Sequence, residues 1–192
     1  MRKGLISVLM IPLLFLAACG DQEAKAERDF AAFRASLANA ERITLRAALT
    51  ADYGGTVQDY VLSAVYDGAE TRVTVEEPEL IAGVTAAVKR GETSISYDGV
   101  LLGAGPLDAE GTTPVSAIPV ILMAMTDGYV ELLWREGSYL TARLYAGESS
   151  ACTVWLDEET RTPVSAEISN DGKTVIACRF TAWELAPGEP SD

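Results

Sequence analysis

The chain has 192 residues, and its 28 acidic side chains against 15 basic ones and no histidine give a formal net charge of −13. Proteins that neutralise nucleic-acid phosphates need a surplus of Lys and Arg, so this charge excludes nucleic acid as a partner. Because 48% of the residues are hydrophobic, the composition is that of a folded globular protein rather than a disordered chain. The length suffices for one domain with a sizeable core.

The start of the chain has the features of an export signal. Two basic residues precede an apolar run at residues 5–16, which is shorter than the about 20 residues that a membrane-spanning helix needs. The following Leu16-Ala17-Ala18-Cys19 resembles the bacterial lipobox, in which the signal is cut before a cysteine that becomes linked to diacylglycerol. We expect residues 1–18 to be a lipoprotein signal peptide and Cys19 to be the lipidation site. The alternative is an ordinary cleavage site with an incidental cysteine.

Lipidation of Cys19 would anchor the protein to a membrane. Each buried methylene of an acyl chain such as palmitate contributes about 0.8 kcal/mol, and two or more chains hold a protein stably where one does not. We expect the protein to be extracytoplasmic and anchored through diacylglyceryl-Cys19 to the outer leaflet of the cytoplasmic membrane, or to the outer membrane where the source has one. Residues 19–22 would then be the lipidated cysteine and a short tether.

Two periodicities divide the remaining chain. Residues 22–41 have one apolar stripe at three- and four-residue steps, which predicts an amphipathic helix that docks on a sheet. From residue 43 the apolar residues alternate, as in half-buried antiparallel strands, and turn signals such as Asp98-Gly99 and 170–173 mark hairpins. We expect a single domain at residues 23–185 and a disordered tail at 186–192.

A second helix interrupts the predicted strands. Thr113 is suited to the N-cap, Pro114 to the first helical position and Gly128 to the position after the end. Pro119 predicts some irregularity or a delayed start. The stretch at 115–125 is apolar nearly all round, so the helix is expected to be buried or to form a lid over something apolar.

The two cysteines after Cys19 are expected to be free. Cys152 and Cys178 belong to an exported protein, where disulfides are permitted. The predicted meander puts one strand between them, a separation of roughly twice the strand spacing of about 4.8 Å, which exceeds disulfide reach. Both are therefore predicted to be small buried hydrophobic residues.

No catalytic, metal-binding or cofactor-binding pattern is found in the sequence. The absence of histidine removes the usual general base, the commonest zinc ligand and every Ser-His or Cys-His arrangement, and no Gly-rich phosphate loop is found. Glu76-Glu77 and 157–159 are the carboxylate clusters that glycosidase chemistry would use. Both flank predicted strand ends, where acidic residues are normally solvated, so we predict a protein that is not an enzyme.

The order of elements resembles the LolA/LolB group of lipoprotein carriers and related envelope lipoproteins. The resemblance covers residues 23–185 and rests on that order and on phrases at 94–99 (Ser-Ile-Ser-Tyr-Asp-Gly) and 115–122 (Val-Ser-Ala-Ile-Pro-Val-Ile-Leu). It implies an α+β fold in which a strongly curved antiparallel sheet, an incomplete β-barrel, wraps an N-terminal amphipathic helix and an inserted apolar helix. No match to the carrier's functional arginine or the receptor's protruding loop is found, so the resemblance transfers no site residues.

Two hypotheses of function follow. The first is a non-enzymatic, membrane-anchored envelope lipoprotein that binds a lipid or another hydrophobic ligand in the concave face of the sheet. Its expected ligand-binding residues are Ile118, Ile121, Leu122, Met125, Leu140 and Leu144. The alternative is a protein-interaction or regulatory lipoprotein whose helices fill the core, with no ligand cavity and with an envelope protein as its partner.

Overall fold

The computed structural model describes residues 11–146 and 150–187, with side chains from residue 22 onward. The first helix, α1, runs Ile11–Ala38, and the inserted helix, α2, runs Pro114–Asp127. Residues 1–10 of the predicted signal peptide and the side chain of Cys19 lie outside this description. The backbone of α1 continues through residues 19–22, the predicted lipidated cysteine and tether. No helix among the described residues is long and apolar enough to span a membrane.

Eleven described strands form one antiparallel sheet. Its order is β6-β5-β4-β3-β2-β1-β11-β10-β9-β8-β7, so β1 and β11 join the two halves of the chain at the centre, and β6 and β7 are the edges. A short 3₁₀ turn, Glu79–Ile81, lies between β3 and β4. The strands are β1 Ala40–Asp52, β2 Val57–Tyr66, β3 Glu70–Glu77, β4 Thr85–Lys89, β5 Glu92–Tyr97, β6 Val100–Pro106, β7 Tyr129–Glu136, β8 Tyr139–Tyr145, β9 Ser150–Asp157, β10 Pro163–Asn170 and β11 Lys173–Pro187.

The hairpin turns follow from local chemistry. The turn between β5 and β6 has φ of 48° at Asp98 and 79° at Gly99, and the turn between β10 and β11 has φ of 50° at Asp171 and 77° at Gly172. Two successive residues with positive φ match the right-handed twist of paired strands, and Asp-Gly is well suited to them. Both hairpins predicted from these residues are confirmed.

The sheet curves around α2. This helix contacts β4 on one side of the sheet and β8 on the other. Seven strand intervals separate β4 from β8, which is about 34 Å in a flat sheet, whereas a helix is only about 10–12 Å across. One helix reaches both strands because the sheet bends into an open half-barrel with α1 and α2 on its concave face.

Both ends of α2 are fixed by polar contacts. At its start, Thr113 accepts a hydrogen bond from the Ser116 N–H at 3.2 Å, and the Ser116 hydroxyl accepts one in return from the Thr113 N–H at 3.1 Å. At its end, Arg34 of α1 donates to the carbonyls of Met125 at 3.0 Å and Ala124 at 3.2 Å. The Ala124 carbonyl also accepts from the Gly128 N–H at 3.1 Å. A guanidinium at the end of a helix hydrogen-bonds the last carbonyls and interacts favourably with the helix dipole. Pro119 does not delay the start of the helix.

The tail prediction was wrong for its first two residues. Strand β11 continues through Ala186, which pairs with Arg42, and Pro187, which pairs with Ala40, because β1 begins early enough to provide partners. Residues 188–192 of the predicted tail lie outside the described part of the chain. The hydrophobic core consists of residues between Ala26 and Phe180, so a chain that begins at Gln22 retains all of it.

Candidate functional site

The six residues that we expected to line a ligand cavity are packed together in the core. Ile118, Met125 and Leu144 are 0% exposed, and the least buried of the six, Leu122, is only 5% exposed. They pack with apolar residues of α1 and of the sheet in one continuous cluster. The structure therefore packs these six residues together in the core, and Leu140 also borders a cavity of about 130 Å³ with Phe33 and Leu156.

The apolar concave face continues beyond α2 onto the edge of the sheet. Residues that pair directly across strands share a face, and one such row runs Val73, Ala86, Ile95, Leu102 from β3 to β6. The first two are 0% exposed, Ile95 is half-buried and Leu102 is 62% exposed. Exposure rises along the row because α2 contacts β3 and β4, whereas β5 and β6 extend beyond it.

A groove lies between this uncovered wing of the sheet and the start of α2. Its volume is about 250 Å³, and its apolar lining includes Ile95 on β5 and Val115 on α2, with Leu107 from the segment between them. We call it the wing groove. Tyr97 and Val100 pair across the β5–β6 hairpin beyond it and are 51% and 60% exposed. The wing groove and these residues form an open apolar surface of the kind that accepts hydrophobic ligands.

Polar groups are concentrated at one side of the wing groove. Thr93 lines it, and the buried Thr93 hydroxyl has no hydrogen-bond partner among the described residues. Asp108 also lines it and accepts hydrogen bonds from the hydroxyls of Ser116 and Thr112, both at 3.0 Å. Partial burial acts to raise the pKa of Asp108, but these hydrogen bonds, with those from the Thr112 and Glu110 N–H groups, outweigh it and lower the pKa. Asp108 is therefore an ionised carboxylate whose bonds are made within the protein.

Sequence reasoning missed the residues of the wing groove. The hairpin was predicted, but its apolar residues were not separated by face. The available signal was the alternation of Thr93, Ile95 and Tyr97 on one strand, continued across the turn by Val100 and Leu102 on the other. What the sequence did not reveal is that α2 stops short of these strands.

A larger concavity, of about 490 Å³, lies on the outer face of the sheet. Its floor contains small side chains, Ala48 and Ala177, and its sides include Asp59, Glu77 and Arg179. The charged residues in its lining suit an apolar ligand less well. The wing groove is therefore the better candidate despite its smaller volume.

The carboxylate clusters have structural contacts. Glu76 forms an ion pair with Arg46 at 2.7 Å, and Glu158 forms one with Arg135. Asp157 accepts hydrogen bonds from the N–H groups of Thr160 and Glu159 at 2.7 and 3.0 Å, which closes the turn after β9. These hydrogen bonds lower the pKa of Asp157, since they favour the charged form.

The two cysteines of the sheet are free and buried, as predicted. Cys152 pairs with Ile168 and Cys178 with Ala166, so β10 separates them. Burial raises the pKa of Cys178 to about 12 and raises that of Cys152 further, with a contribution from neighbouring Cys178. Neither thiol is a nucleophile in the folded protein.

Comparisons with known proteins give likenesses of fold alone. No protein-family model and no curated protein sequence matches the chain significantly. A putative outer membrane lipoprotein-sorting protein domain from Vibrio parahaemolyticus is 7% identical, with 86% of this chain and 95% of that one covered and a TM-score of 0.48. A LolA superfamily protein from Nitrosomonas europaea is 11% identical, with 81% and 94% covered and a TM-score of 0.44.

A third similar structure is a chain of the complex between the CwlD amidase and the GerS lipoprotein of Clostridioides difficile. It is 11% identical, 82% of this chain and 94% of that chain are covered, and the TM-score is 0.44. The structural neighbours of this chain thus include a LolA superfamily protein and a putative outer membrane lipoprotein-sorting protein domain.

Proposed function

We propose that the protein is a non-enzymatic envelope lipoprotein, anchored through diacylglyceryl-Cys19, that binds a lipid or another hydrophobic ligand in the wing groove. The observation that carries the proposal is the row of paired residues on the concave face that passes from full burial at Val73 to 62% exposure at Leu102. Exposed apolar surface next to a groove is costly in water and is used where a ligand covers it. We place the site here rather than at the six residues predicted from the sequence, because those are at most 5% exposed.

In the wing groove, apolar residues would supply the affinity for a ligand and a polar group would supply its orientation. An apolar chain that lies in the wing groove against Ile95 and continues onto Leu102, the residue paired with Ile95 on the next strand, removes their exposed surface from water, which supplies the affinity. The unpaired hydroxyl of Thr93 offers a hydrogen bond to a polar head or linkage, which supplies orientation. Helix α2 acts as a fixed wall, since both of its ends are held by hydrogen bonds.

The test uses two neighbouring leucines of β6 that face opposite sides of the sheet. Leu102 pairs with Ile95 on the concave face, whereas Leu101 pairs with Ser96 on the outer face and is 69% exposed. The measurement is the affinity of residues 22–192 for a dansyl-labelled fatty acid, followed by fluorescence. Full burial of a leucine is worth about 1.5–3 kcal/mol, and 62% of the surface of Leu102 is left to bury. Leu102→Asp should therefore remove about 0.9–1.9 kcal/mol and weaken binding by roughly 5- to 25-fold, or more because a charge is then desolvated.

Leu101→Asp is the matched control and should leave affinity and stability unchanged. Since both leucines are exposed, neither variant should lose its fold, which thermal unfolding followed by circular dichroism would verify. Equal affinities for the two variants and the original protein would contradict the proposal.

A second candidate function is supported by the filled core. The six residues expected to line a cavity are at most 5% exposed, as in the alternative of an interaction or regulatory lipoprotein with a self-filled interior. In that case no hydrophobic ligand binds, and the exposed residues of β5 and β6 contact a protein. The dansyl-labelled fatty acid distinguishes the two candidates, because the second predicts no saturable binding by the original protein.

A further inference from the structure

The strand at the other edge of the sheet, β7, packs against α1, where Arg135 forms an ion pair with Asp29 at 2.6 Å, and it has a neighbouring strand on one side only among the described residues. Among the described residues it pairs only with β8, and its pairing is regular from Leu132 opposite Arg143 to Glu136 opposite Tyr139. In an antiparallel edge strand, alternate residues direct their N–H and C=O groups away from the neighbouring strand. Leu132 is 54% exposed on this edge. Strand β7 therefore presents a short, regular template for one more strand.

A groove of about 370 Å³ runs between β7 and α1. We call it the edge groove. Phe30 and Ala31 line it from the helix, and Val130, Leu132 and Leu133 line it from the strand. Because Ala31 is small and exposed, another backbone is able to approach the helix closely at this point. The edge groove thus combines an apolar floor with unpaired backbone groups along one wall.

The uncompensated charge of the edge groove is negative. Glu23 and Glu27 line it, both are exposed, and neither forms an ion pair among the residues that the structure describes. The other charged groups there are already occupied: Glu131 pairs with Arg143 at 2.9 Å, and Arg34 donates to carbonyls at the end of α2. Glu23 and Glu27 are four residues apart on one helix face, where like charges repel. A basic partner would relieve that repulsion.

We propose that the edge groove binds an extended basic polypeptide segment, which adds a strand to β7. Main-chain hydrogen bonds to the edge of β7 hold the segment in register. Its alternate side chains then point to opposite faces, one set toward Phe30 and Ala31 in the groove and the other set outward on the face of Trp134. Lys or Arg residues at its end meet Glu23 and Glu27. This partner site is at the opposite edge of the sheet from the wing groove and is independent of it.

The test uses the full chain in phosphatidylcholine nanodiscs and a fluorescein-labelled peptide, Lys-Lys-Val-Thr-Val-Thr-Val-Lys-Lys. Binding is measured by anisotropy at physiological ionic strength, against an analogue with Glu in place of each Lys and against empty nanodiscs. Amide hydrogen exchange of the protein, with and without peptide, then reports whether the backbone of β7 becomes protected.

Two variants block the edge groove without touching the core. Ala31→Trp fills it, and the matched control is Ala32→Trp, since Ala32 is exposed on the same helix and does not line the groove. The double variant E23K/E27K reverses its charge. The matched control is E79K/E92K, which changes the net charge equally at exposed positions near the other edge of the sheet.

The expected result is that each groove variant weakens peptide binding by about tenfold or more while each control changes it less than about twofold. Exchange should slow in residues 131–136 when peptide is bound. The proposal is overturned if the Glu analogue binds as well as the Lys peptide, if groove variants and controls bind alike, or if bound peptide leaves exchange in β7 unchanged. Saturable binding of the dansyl-labelled fatty acid is unaffected by any of these outcomes.

Discussion

Replacing Leu122 with Asp distinguishes a helix that belongs to the core from a helix that acts as a lid. Leu122 is 5% exposed and belongs to the cluster that α2 shares with the sheet. Truncating a buried leucine to alanine costs about 2–5 kcal/mol, and the unpaired carboxylate adds a desolvation cost of at least a few kcal/mol. Because the stability of a whole domain is about 5–15 kcal/mol, we expect Leu122→Asp to unfold the protein or leave it barely folded.

The matched control is the next residue on the helix. Met123 is 45% exposed, so Met123→Asp should change the free energy of unfolding by less than about 1 kcal/mol. Urea unfolding of residues 22–192, followed by tryptophan fluorescence and far-ultraviolet circular dichroism, gives the two values. A folded Leu122→Asp variant within about 1 kcal/mol of the original would refute this reasoning, since α2 would then be a lid that leaves the sheet intact when displaced.

Three further predictions concern the ends of α2 and the cysteines. Gly128→Ala should destabilise the protein by about 1–3 kcal/mol in urea unfolding, because an added Cβ would lie 2.5 Å from the carbonyl oxygen of Ala124; an unchanged midpoint would show that the crowding is absent. Asp108→Asn should cost about 1–3 kcal/mol at neutral pH. Because folding lowers the pKa of Asp108, the ionised carboxylate stabilises the fold above its unfolded pKa of about 3.9, and this stabilisation is lost as pH falls through the folded pKa. The free energies of unfolding of the original protein and of Asp108→Asn should therefore converge in acid titrations; a constant difference between them would contradict this prediction. Cys152 and Cys178 should react with a thiol reagent only when denaturant is added, and rapid labelling of the native protein would contradict their burial.

Much of the sheet could be predicted from the sequence because its signals are local. The Asp98-Gly99 and Asp171-Gly172 turns specify their hairpins, since Asp and Gly adopt positive φ at two successive positions with little strain. Thr113 and Gly128 likewise mark the two ends of α2. Gly128 has an ordinary φ of −60°, however, so the reason for glycine at this position is the close approach of the Ala124 and Tyr145 carbonyls rather than a left-handed backbone.

The candidate site could not be predicted, because it depends on where long-range packing ends. Leu122 and Leu102 are both apolar residues on the concave side, but the first is 5% exposed and the second 62%. The difference arises because α2 packs chiefly against β3 and β4, whereas β5 and β6 extend beyond those contacts, and that limit is not encoded in the periodicity of any one segment. For the same reason the open edge of β7 became visible only once the strand order was known.

The central claim, that the uncovered concave face holds a hydrophobic ligand, is tested most directly by native mass spectrometry with organic extraction on residues 22–192. The account predicts a stoichiometric lipid adduct on the original protein and on Leu101→Asp, and its loss from Leu102→Asp. A clean ligand-free mass for the original protein, together with cooperative unfolding, would contradict the claim and favour an interaction module with a self-filled core.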